Sequence, residues 1–85
     1  MNETVASILQ ILGRFCNTYH DVLNTVIEYF TIHGHIGFME LVNIIGKNKG
    51  YISKILRELE IWGLIIREGR RPQRIVPNLD FWGEI

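Results

Sequence analysis

The sequence predicts a mainly α domain that closes with a small β-hairpin. Three observations lead there. Apolar residues recur three or four positions apart over residues 22–33, 41–45 and 52–62, the spacing of one helix face. Gly34, Gly46 and Gly63 stand where each of those runs ends. After Gly63, Leu64–Glu68 and Arg74–Pro77 read as two short strands around Gly69-Arg70-Arg71-Pro72-Gln73. At 85 residues the chain is one small domain, able to fold alone but readier to do so as a dimer. It is 47% hydrophobic and 21% charged, which excludes a disordered chain.

Residues 3–19 carry Val5, Ile8, Leu9, Leu12, Phe15, Cys16 and Tyr19, a helical stripe whose start Asn2 or Thr4 caps. This N-terminal helix is an addition to the rest of the domain and a candidate for dimerisation. Asp21 is then expected to cap a second helix, roughly Val22 to His33, with Val22, Val26, Ile27, Tyr29 and Phe30 facing inward. Gly34 suits a left-handed helix end, and His35-Ile36-Gly37-Phe38 is long enough only for a brief strand. A third helix runs from about Met39 to Ile45, with Leu41, Val42 and Ile45 inward.

Gly46-Lys47-Asn48 makes a tight turn into the fourth helix, about 49–62, which Asn48 caps. Its inward positions are Ile52, Ile55, Leu56, Leu59 and Trp62, so Trp62 is expected in the core. Two helices joined by so sharp a turn form a helix-turn-helix, whose second helix can enter a DNA major groove. The outward positions are Lys49, Gly50, Tyr51, Ser53, Lys54 and Arg57. Beyond the hairpin, residues 78–85 form an apolar tail in which Phe81 and Trp82 either fold back on the domain or enter a dimer interface.

Net charge is zero, yet the charges are segregated. Residues 46–74 hold eight cations against three carboxylates, net +5, while residues 1–45 are net −3 and the tail net −2. A one-sided basic half can meet phosphates while the acidic half stays away from them.

Residues 41–66 resemble the winged helix-turn-helix domains of bacterial and archaeal transcription regulators. The matching residues are Leu41, Val42, Ile45, Gly46, Asn48, Ile52, Ser53, Leu56, Leu59, Gly63, Leu64 and Ile65, with Val42 in place of the usual alanine and Asn48 of the usual serine. With the helix before them and the hairpin after them, the likeness covers about residues 22–77, the hairpin at 64–77 being the wing. Small size and abundant isoleucine resemble the compact archaeal or viral members, similar in outline to MarR- or PadR-like proteins. The resemblance implies a cytoplasmic homodimer on double-stranded DNA, paired through the N-terminal helix and the tail. Lys47, Asn48, Lys49, Tyr51, Ser53, Lys54 and Arg57 are then expected at the major groove. Arg70, Arg71 and Arg74, on the basic wing 67–74, are expected at the minor groove or backbone.

Other function classes find little support. No nucleophile–base pair, phosphate-cradling glycine loop or paired-carboxylate motif is present, so an enzyme is not expected. His20, His33 and His35 lack further ligands at metal spacing, and no metal or cofactor is expected. The single cysteine, Cys16, cannot form an internal disulfide, which fits a reducing compartment. No apolar run reaches membrane-spanning length and no signal peptide is apparent, so no membrane association is expected. The alternative is a winged-helix protein-interaction module within a replication, transcription or membrane-remodelling assembly, since this fold alone does not decide its partner.

Overall fold

The computed structural model describes Ser7, Gln10 and residues 17–70 and 73–83. In chain order the elements are α1 (Asn17–His33), β1 (Ile36–Gly37), α2 (Phe38–Ile45), α3 (Lys49–Ile61), β2 (Ile65–Glu68), β3 (Arg74–Pro77) and the single turn α4 (Leu79–Trp82). The sheet is three-stranded and antiparallel, in the order β1-β3-β2. Most of the N-terminal stripe at 3–19 lies outside the described residues; Ser7 and Gln10 within it are helical.

Val22, Leu23, Val26 and Ile27 of α1, Leu41 and Val42 of α2, and Ile52, Ile55, Leu56 and Leu59 of α3 meet in one core. Ile36, Ile65 and Ile75 close it from the sheet. Burying each such side chain contributes about 1.5–3 kcal/mol before conformational entropy is set against it. Tyr29 and Phe30, expected inward, are half-buried.

The helix does not restart at Asp21. It runs unbroken from Asn17, and Asp21 is exposed within it, its backbone carbonyl accepting from Thr25 Oγ1 at 2.7 Å. Tyr19, Val22, Leu23 and Val26 continue one apolar face past that point, so nothing in the packing asks for a break.

Two glycines fix the turns around α3. Gly46, at φ +77°, ends α2 with its N–H on Val42 O at 2.9 Å. Gly63, at φ +78°, ends α3 in a Schellman motif: Leu64 N–H donates to Leu59 O at 2.9 Å and Gly63 N–H to Glu60 O at 3.0 Å. Both positions need a left-handed backbone that glycine adopts without steric cost.

Trp62 is not a core residue, because the helical period carries position 62 to the edge of the Ile52–Ile55–Leu56–Leu59 stripe. The helix stops at Ile61, and Trp62 at its cap is 51% exposed on the flank of the helix, stacked on Tyr19 with ring centroids 5.9 Å apart. The tryptophan in the core is Trp82, only 4% exposed. Its indole N–H donates to Leu64 O at 2.8 Å, an oxygen that also accepts from Asn78 N–H at 3.0 Å. Asn78 Nδ2 donates to Gly63 O at 2.9 Å, so the start of the tail is tied to the corner between α3 and β2. Phe81 packs edge-on against Trp82 and remains half-exposed.

In the hairpin, Ile65 faces Pro77, Ile66 faces Val76, Arg67 faces Ile75 and Glu68 faces Arg74. Strand alternation turns Ile65, Ile75 and Pro77 inward, and Arg67 with them. A guanidinium at the edge of a core needs a partner, and Glu60 of α3 supplies it at 2.9 Å. The hydrogen bond from Arg67 is the main reason the Glu60 carboxyl titrates below its ordinary value; partial burial opposes this and the guanidinium charge adds to it. A lowered native pKa means stabilisation that is present above the unfolded carboxylate range and lost as pH falls through the native value. Both side chains are partly exposed, so the pair contributes no more than about 1 kcal/mol at neutral pH. Glu60→Gln is therefore expected to lower the urea midpoint at pH 7 and to leave it near the parent's at pH 3. A penalty that persists at pH 3 would show that the pair contributes through packing, not charge.

Candidate nucleic-acid interface

The capping of α3 follows the sequence expectation: Asn48 Oδ1 accepts from Tyr51 N–H at 2.8 Å, and Asn48 itself is extended, at φ −69° and ψ 158°. This cap and the Gly46 turn set where the helix begins relative to α2. At about 100° per residue, Gly50, Lys54 and Arg57 lie on the line opposite the buried Ile52–Ile55–Leu56–Leu59 stripe. Lys49 and Ser53 flank that line on one side and Tyr51 on the other. All six are exposed, as are Lys47 and Asn48 in the turn. The fold therefore gathers Lys47, Asn48, Lys49, Tyr51, Ser53, Lys54 and Arg57 on one outer surface.

What the sequence did not disclose is where the carboxylates of α3 go. Glu58 accepts a hydrogen bond from the Tyr19 hydroxyl of α1, and Glu60 is held by Arg67 of β2. Both acids are drawn back to the scaffold. Among the described residues, neither Lys47, Lys49, Lys54 nor Arg57 takes part in an ion pair. The cations on the outer surface of α3 are thus not held in ion pairs, and the two carboxylates nearest them are bound to other elements.

The wing divides. Arg67 is engaged with Glu60 and points inward. Arg70 is exposed in the hairpin loop, where positive-φ Gly69 begins the turn. Arg74 is exposed on the outer sheet face but sits across from Glu68, which dilutes its charge. Arg71 lies outside the described residues. Among the described residues no group of three or more His, Cys, Asp or Glu is placed to hold a metal, and no helix is long and apolar enough to cross a membrane.

No protein-family model and no curated protein matches the chain. A similar solved structure is MepR, a transcription regulator of the Staphylococcus aureus multidrug efflux pump MepA, with a TM-score of 0.65 at 21% identity. The likeness covers 92% of this chain and 59% of MepR, so the chain spans about three-fifths of that protein's length. It shows a shared winged helix-turn-helix fold, with α2 and α3 as the two helices and β2–β3 as the wing.

Proposed function

We propose that the chain is a sequence-specific regulator of transcription that binds double-stranded DNA as a homodimer. In this reading α3 enters the major groove, and the wing meets the minor groove or backbone through Arg70, Arg71 and Arg74. The observation that carries it is the outer surface of α3: exposed Lys49, Lys54 and Arg57, with Glu58 and Glu60 both tied back to other elements. Lysine and arginine there can neutralise phosphates, and the exposed Ser53 hydroxyl and Tyr51 ring stand beside them. The fold shared with MepR, itself a transcription regulator, supports the same reading. Two copies, paired through the N-terminal segment and the exposed Leu79 and Phe81 of the tail, would present two such helices to successive major grooves.

A second reading is favoured by one observation. Ile61 and Trp62, 71% and 51% exposed, place an apolar patch at the far end of the same helix. A protein-interaction module would use that patch, and DNA would not be its partner. Titration of the chain with mixed duplex DNA at several salt concentrations separates the two. The DNA reading expects tight binding at low salt, with the logarithm of affinity falling by about 0.9 per phosphate contact for each tenfold rise in salt. Absence of binding to any duplex at low salt excludes it in favour of the interaction module.

A further inference from the structure

Seven glycines fall among the described residues, and for six of them the fold supplies a reason. Gly34, Gly46, Gly63, Gly69 and Gly83 have positive φ, a backbone that other residues adopt only under strain. A Cβ at Gly37 would come within 3.2 Å of Glu40 Oε1, which bonds the Gly37 N–H. Gly50 is different. It sits inside α3 without a positive φ, it is exposed, and a Cβ there would meet only Asn48 Oδ1 at 3.5 Å, an ordinary contact.

Glycine is the least favourable helix residue after proline, and alanine the most favourable. Gly50 lies in the first turn, where that difference is smaller, and the fold would accept alanine there without loss. Gly50 also begins the outermost line of the helix, one turn ahead of Lys54 and two ahead of Arg57. At that point the line carries backbone and no side chain. A helix lowered into a groove would come nearest its partner there.

Resting on the DNA reading above, we propose that Gly50 is the point of closest approach between α3 and duplex DNA. Its missing side chain sets how deeply the helix seats, and hence whether Tyr51, Ser53 and Lys54 reach base edges. Glycines serve this purpose where backbone must approach a ligand closely. A methyl group at 50 lifts the helix and weakens the contacts on either side of it together.

The test compares the parent chain, Gly50→Ala and Gly50→Leu on the best duplex selected by the parent from a randomised pool, alongside thermal unfolding of each protein. Gly50→Ala is expected to unfold at the same or a higher temperature and to bind about tenfold more weakly, the scale of one mismatched contact in a protein–DNA interface. Gly50→Leu is expected to bind more weakly again. Parent-like affinity of Gly50→Ala overturns the close-approach role and leaves the DNA reading standing. A loss of affinity that comes with a lower unfolding temperature also overturns it, since the effect is then structural. Failure of the parent itself to select any duplex overturns both.

Discussion

Replacing Trp82 by alanine is expected to lower the unfolding free energy by about 3–5 kcal/mol, the range for removing a large buried aromatic. The same change at Trp62 is expected to cost about 1 kcal/mol, the scale of a single aromatic pair. Trp82 is 4% exposed and bonds the Leu64 carbonyl, whereas Trp62 is half-exposed and loses only its stack on Tyr19. A domain of this size has roughly 5–15 kcal/mol in total, so Trp82→Ala brings it close to the unfolding threshold. Trp82→Phe restores most of the ring volume. It leaves Leu64 O with its bond from Asn78, and is expected to cost about 1–2 kcal/mol. Urea unfolding followed by circular dichroism measures all three. Equal costs at positions 62 and 82 would mean that the tail does not close the core as described.

The exchange between the two tryptophans shows where the sequence stops being legible. The helical spacing through Ile52, Ile55, Leu56 and Leu59 extends to position 62 on paper, but at about 100° per residue that position falls at the edge of the stripe, on the side where Tyr19 stands. Trp82 follows no period at all. Its place depends on the Leu64 carbonyl, 18 residues earlier in the chain, and on the Asn78 bonds to the same corner. No local pattern carries that information. Asp21 is a related case: its preference for helix starts is real but small, and the apolar face running from Tyr19 to Val26 outweighs it.

The elements that define the candidate site were far more legible, because each has a local cause. Gly46 and Asn48 specify the turn and cap within a few residues, and the helical period assigns Lys49, Lys54 and Arg57 to the outer face. What remained hidden were the long-range partners of the acids. Glu58 and Tyr19 are 39 residues apart and Glu60 and Arg67 lie on different elements, so a charge count along the chain treats them as neighbours of the basic face when they belong to the scaffold.

That distinction leads to the largest effect expected on binding. Lys54→Ala combined with Arg57→Ala removes two exposed cations from the outermost line of α3 without touching its buried stripe. If both meet phosphates, the slope of log affinity against log salt becomes shallower by about 1.8. At physiological ionic strength the same slope corresponds to about a 30-fold loss of affinity, shared by all duplex sequences. Arg67→Ala is the informative control. Its guanidinium is held by Glu60 on the inward side of the sheet, so the change is expected to lower stability slightly and to leave the salt slope as it was. A count of basic residues between positions 46 and 74 treats Arg67 and Arg57 alike; the structure separates them by what each one touches. Should Arg67→Ala flatten the slope as much as Arg57→Ala, the pair with Glu60 would have to open on binding, and the wing would then contact DNA from its inner edge.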